Sequence, residues 1–199
     1  RNILTSKKCT EKFWLRLLRV LVEDKMNKDY YETARANPEI RQEFLDSIDM
    51  EEYAPFVGEL GYRGVESEHT MYLEWHIFRP RKVKSPIIIC NRAFDEAWDW
   101  ESFYNTLLHH EGFHAKSFYL GSPHNLIDRV SNFFTKTFHL KNSRKFDLNR
   151  CLEEDRAYSN QIEHPSFLEC SRNFQGAIIG SLEINRGKIR MLSNWRIDI

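Results

Sequence analysis

The sequence predicts a single domain of the α+β class, and three observations carry that expectation. Apolar residues recur at steps of three and four around Phe13–Leu21 and again along Trp100–His114, as they do on one face of a helix. Between these stretches, Met71–Phe78 alternates apolar and polar residues, the period of a half-buried strand. A chain of 199 residues that is 41% hydrophobic and 29% charged can bury a sizeable core. The expected order is a helical N-terminal region over 1–64, a core over 65–165, and a β-hairpin over 166–199. The core is expected to hold a small antiparallel or mixed sheet, one central helix and a downstream helix.

Each element has its own signal. From Glu11 to about Tyr62 the chain reads as helical, with Phe13, Trp14, Leu17, Leu18 and Leu21 on one face. Asn37-Pro38 marks a break and restart, because proline suits the first helical turn. Gly58, Gly61 and Gly64 read as loop. In the first strand Met71, Leu73, Trp75 and Ile77 point one way, and Tyr72, Glu74 and His76 the other. The basic stretch Arg79 to Lys84 is a solvated connection to Ile87-Ile88-Ile89-Cys90, a shorter and more buried strand.

The central helix follows, with Asp99 or Ser102 as its cap. Trp100, Phe103, Leu107, His110 and His114 form one stripe, whereas Asn105, His109, Gly112 and Lys116 form a polar stripe expected to face solvent. Gly121-Ser122-Pro123 ends the helix. Two more helices are expected at Leu126–Phe138 and Leu148–Glu163, the second stopped by Pro165. At the C-terminus, Leu182–Ile184 and Lys188–Met191 read as strands joined by Asn185-Arg186-Gly187.

The formal charge is zero, so no general electrostatic attraction to nucleic acid or to an anionic membrane is expected. No apolar run reaches the roughly 18 residues of a membrane span. The four cysteines Cys9, Cys90, Cys151 and Cys170 lack C-x-x-C pairing and read as free thiols of a reducing compartment, with a disulfide between distant partners as the rival. A cytoplasmic location is the matching expectation. The chain begins at Arg1 rather than methionine, as a fragment or processed form does.

Chemistry concentrates at His110-Glu111-Gly112-Phe113-His114, which has the H-E-x-x-H form. Residues four apart on an α-helix lie about 40° apart around the axis and about 6 Å along it. Two imidazoles so placed can reach one zinc at roughly 2.0–2.1 Å each. Glu111, turned slightly aside, can address water as a general base without ligating the metal. A shuffled chain of this composition gives the pattern about once in thirty trials, so context must decide. Here both histidines extend the buried stripe, where neutral imidazoles need partners and one metal serves both.

A catalytic zinc needs a third protein ligand and an open position. The extension to H-E-x-x-H-x-x-G-x-x-H fails, because Ser117 and Leu120 occupy its last two defined positions. In Cys151–Tyr158, Glu153 shares a face with Asn149, Arg156 and Asn160 and reads as solvated. Glu154 and Asp155 are both inward candidates.

His110-Glu111-x-x-His114 together with Glu154-x-x-Ala157 resembles the gluzincin metallopeptidases, over roughly Ile87 to Gln161. The resemblance implies a zincin-like fold and assigns Glu154 as third ligand, with Ala157 small enough for the two helices to approach. It leaves Asp155 as an outer acceptor for a ligand histidine N–H. It also implies a substrate-pairing strand before the motif helix. Tyr158 stands where several gluzincins carry an aspartate.

The function so implied is a zinc-dependent peptidase acting on a peptide or protein substrate. His110, His114 and Glu154 hold Zn2+, and Glu111 takes a proton from the activated water and passes it to the leaving amine. Tyr158 is the preferred oxyanion donor, with His124, His139 and His164 as the alternatives. A second class is a zinc-bearing domain of the same fold that binds or regulates a partner. A third is a metal-free interaction protein.

Overall fold

The computed structural model describes residues 25–65, 69–74, 82–95, 98–120 and 143–194. The expected helices at Phe13–Leu21 and Leu126–Phe138 lie outside these residues, as does the strand beyond Glu74. The described part mixes helices with a small sheet, in agreement with the α+β expectation.

The sheet has three strands in the order β1 (Val57–Arg63), β3 (Ser85–Cys90), β2 (Met71–Leu73). β1 runs parallel to β3 and β2 antiparallel to it, so the sheet is mixed. Every residue of the central strand β3 is buried, while Met71 and Leu73 of β2 point inward around a half-exposed Tyr72. β1 corrects the reading of Gly58 and Gly61 as loop, while Gly64 follows the strand's end and lies in a loop as expected. Strand pairing outweighs the low strand propensity of glycine here, and Gly61 has reason to lack a side chain, since a Cβ would sit 3.0 Å from Ile88 Cδ1. The Gln42 side chain bonds Leu60 O and the Tyr62 N–H at 2.8 and 2.7 Å, satisfying part of this strand's edge.

The helical expectation for the N-terminal region therefore ran too far. Residues 25–36 are helical, Asn37 caps a 3-10 turn at Pro38–Ile40, and Arg41–Asp46 is the next helix. Tyr31, Phe44, Phe94, Trp100 and Phe103 meet in a buried aromatic cluster that joins this region to the start of the central helix. Tyr31 also donates to Ala93 O and Trp98 O, both at 3.3 Å.

The central helix runs without a break from Trp100 to Leu120, and Asp99 caps it by accepting from the Ser102 N–H at 2.8 Å. Its middle is not α-helical. Thr106–Gly112 is a π-helix, and all seven of its residues are buried. The polar stripe expected to face solvent is thus corrected at Asn105, His109 and Gly112. The N-terminal helices and sheet cover one side of this helix, and the helix Ser143–Glu163 covers the other.

The largest correction is at the C-terminus. In place of a β-hairpin, Arg172–Asn194 forms one helix packed along Ser143–Glu163. Phe174, Ile178, Leu182 and Asn185 recur at helical spacing on its covered face, and Asn185 donates to Cys151 O at 2.6 Å. The supposed turn residue Arg186 pairs with Asp155 at 2.8 Å. Cys90, Cys151 and Cys170 are free thiols, and Cys9 lies outside the described residues. No helix among the described residues is long and apolar enough to cross a membrane.

Candidate metal centre

The two helices that meet here carry complementary features at their contact. Ala157 is fully buried and lets the downstream helix lie close to the motif helix. A seam of polar contacts then runs along the junction. Asn105 donates to Ser166 Oγ at 2.9 Å, Gln161 to Thr106 Oγ1 at 3.1 Å, Asn160 to His109 O at 2.7 Å, and Ser117 to Glu153 at 3.0 Å.

Within this seam His110, His114 and Glu154 come together. His110 Nε2 lies 3.4 Å from one carboxylate oxygen of Glu154, and His114 Nε2 lies 3.7 Å from the other. The three ligand-type atoms all fall within 4.8 Å of one another. Both nitrogen–oxygen distances exceed the 2.7–2.9 Å of a good charge-assisted hydrogen bond. Each histidine faces a different carboxylate oxygen, so the three side chains converge on one shared space without a tight pairwise bond. Exposure rises from His110 (9%) through His114 (18%) to Glu154 (31%), so the trio is sunk on the motif-helix side and open on the other.

Electrostatics couple the group. Burial works against the Glu154 carboxylate, yet the facing imidazoles hold it well below the usual carboxylate range. Burial likewise opposes charge on His114, but Glu154, with help from Glu111 and Glu153, raises its pKa above the ordinary histidine value. The carboxylates around His114 therefore favour positive charge beside them. His110 Nδ1 is buried and has no hydrogen-bond partner.

Glu111 is buried and within Coulombic reach of both His114 and Tyr158. The Tyr158 ring lies against His110, with centroids 4.6 Å apart. Burial pushes its phenol pKa up and Glu154 and Glu111 add to this, while a hydrogen bond with Ser181 offsets part. Tyr158 thus offers a ring rather than a hydrogen-bond acceptor to His110, whose Nδ1 is unpaired.

Other expected roles are corrected. Asp155 faces Arg186 rather than a ligand histidine. Glu153, read as solvated, is half-buried and accepts from Ser117. His109, read as solvent-facing, is buried and stacks on His164 with centroids 3.5 Å apart. Burial and the neighbouring His164 push its pKa down to about 4, which keeps it neutral. His164 is thereby occupied at that stack, and His124 and His139 lie outside the described residues. Gly112 lies close against the ring of Tyr53, which a side chain there would meet.

Tyr53 and Asn160 are the residues that spacing missed. By spacing Asn160 falls on the face of Asn149, Glu153 and Arg156, and only the small residues Gly112 and Ala157 hint at where the helices touch. Comparison with family models, with curated proteins and with solved structures gives no match for this chain.

Proposed function

We propose that this chain is a zinc-dependent metallopeptidase of zincin-like fold. The observation that carries the reading is the convergence of His110, His114 and Glu154, whose ligand-type atoms all fall within 4.8 Å of one another. Two imidazoles and one carboxylate, with one side left open, form a donor set suited to catalytic zinc. The depressed pKa of Glu154 supports the same fit, since a ligand carboxylate must be ionised.

When bound, zinc supplies Lewis acidity that activates water and polarises a scissile carbonyl. The rest of the work falls to side chains. Glu111 takes a proton from the attacking water at its carboxylate and returns it to the leaving amine. Tyr158, kept protonated by its raised pKa, donates a hydrogen bond to the oxygen on which charge develops. Burial of Glu111 and the neighbouring rings limits competing water around the proton being moved.

A zinc-holding module without hydrolysis, acting by binding a partner, is the second reading. It draws on the hydrogen bond with Ser181, which favours ionisation of the Tyr158 phenol over the protonated form that catalysis would use.

Metal content and hydrolysis of a mixed peptide library, measured on wild type and Glu111→Gln, test both. The peptidase reading expects one zinc per chain in each protein and a loss of rate of about 10²–10⁴ in the variant. Equal zinc with no hydrolysis by wild type moves the conclusion to the second reading. Folded wild type that takes up no metal defeats both.

A further inference from the structure

We propose that Asn160 is a positioning residue for the metal centre, its side-chain amide holding open the π turn that aims His110. The inference rests on the metal reading above and adds to it the device that sets the ligand geometry.

In an α-helix the Phe113 N–H would bond His109 O. Here the Phe113 N–H is directed to His110 O instead. A buried carbonyl whose α-helical donor is turned elsewhere is open to a side-chain donor. Asn160 Nδ2 supplies it, at 2.7 Å from His109 O. The same amide donates to Tyr53 Oη at 3.3 Å, so it is fixed from two sides. The Tyr53 ring, in turn, occupies the space that Gly112 leaves by having no side chain.

The consequence falls on the site. His110 and Glu111 belong to the π stretch, whereas His114 belongs to the α-helical segment that follows. If His109 O recovers its α-helical donor, the wide turn closes and His110 and Glu111 rotate relative to His114. Asn160 stands on the same helix as Glu154, six residues further on. One helix thus brings both the third donor and the clamp that orients the first.

The test is zinc affinity by competition with a chromophoric chelator, joined to the visible spectrum of the cobalt-substituted protein. Wild type is compared with Asn160→Leu, Asn160→Asp, Asn160→Gln and Tyr53→Phe. Leucine and aspartate remove the donor, and zinc affinity is expected to fall about tenfold or more, as it does when an outer-shell partner of a ligand is lost. The cobalt bands should shift, a change that a loss of folding stability alone does not produce in the folded fraction. Glutamine retains the amide and should recover part of the affinity. Tyr53→Phe leaves the bond to His109 O and should stay near wild type.

Wild-type affinity and spectrum in Asn160→Leu overturn the inference while leaving the metal reading intact. Wild type that binds no zinc or cobalt overturns the metal reading and the inference with it. Should leucine and aspartate prevent folding, Asn160→Ser, too short to reach the carbonyl, carries the same expectation, and an unchanged spectrum there overturns it.

Discussion

Gly112 lies against the ring of Tyr53 so closely that a Cβ at Gly112 would stand 2.8 Å from Tyr53 Cγ. Tyr53 is buried and bonded through its hydroxyl to Asn160, so the ring cannot swing aside freely. Two effects compete in Gly112→Ala. Helix propensity favours alanine by about 1 kcal/mol, while overpacking a filled core costs about 1–3 kcal/mol. The contact is short enough for the second to win. We expect Gly112→Ala to lower the melting temperature by a few degrees, since about 1 kcal/mol corresponds to about 2–4 °C at this size. Adding Tyr53→Leu should recover part of the loss, and a melting curve for the double variant checks it.

The three donors act as a set, so removing any one should be felt by metal alone. His114→Ala and Glu154→Gln are each expected to weaken zinc by more than the roughly 10–100-fold typical of an outer-shell change. Asp155→Asn provides the contrast. Its carboxylate pairs with Arg186 on the protein surface, where such pairs contribute about 0–1 kcal/mol to stability, and zinc affinity should not change. Chelator competition on the three variants distinguishes the assignments.

Acid and base should act oppositely on the metal-free and zinc-bound protein. Glu154 has a depressed pKa, so its contribution is present above the unfolded carboxyl value of 4.5 and is lost as pH falls through the folded value. His114 has a raised pKa, so its contribution is present below the unfolded value of 6.5 and is lost as pH rises through the folded value. The metal-free protein therefore gains most from this pair between those two unfolded values. Zinc requires neutral imidazoles, so its affinity should climb as His114 loses its proton. Melting temperatures at pH 5.5 and 8, with chelator and with zinc, check the crossing: the increment given by zinc should be larger at pH 8.

Tyr158 offers a separate check on catalysis. A phenol held protonated beside His110 can donate to a developing oxyanion. Losing such a donor costs about 10²–10³ in kcat. Tyr158→Phe is expected to lower kcat within that range with KM little altered. Ser181→Ala, which removes a hydrogen bond that favours the ionised phenol, should not lower kcat. A Tyr158→Phe enzyme with wild-type kcat removes Tyr158 from the reaction.

The histidine pair of the candidate site was legible because its signal is local, His110 and His114 sharing one helix, whereas Glu154 was singled out from Asp155 only by resemblance. What escaped was decided across helices. The π stretch lies where Asn160 of the neighbouring helix bonds His109 O, and no periodicity in 106–112 announces that. Gly58 and Gly61 looked like loop until a parallel strand lay beside them. In both places a partner distant in sequence, rather than local propensity, set the backbone.

The C-terminal segment makes the same point in testable form. Asn185-Arg186-Gly187 between two short alternating runs has the composition of a hairpin turn, in which glycine would supply positive φ and alanine would be strained. In the helix Arg172–Asn194 that glycine is an interior residue, and a Cβ added to it meets nothing within 4 Å. Alanine there is favoured over glycine by about 1 kcal/mol. Gly187→Ala should therefore raise the melting temperature by about 2–4 °C. A hairpin predicts the opposite sign, so the direction of the shift in one melting curve decides between the two backbones.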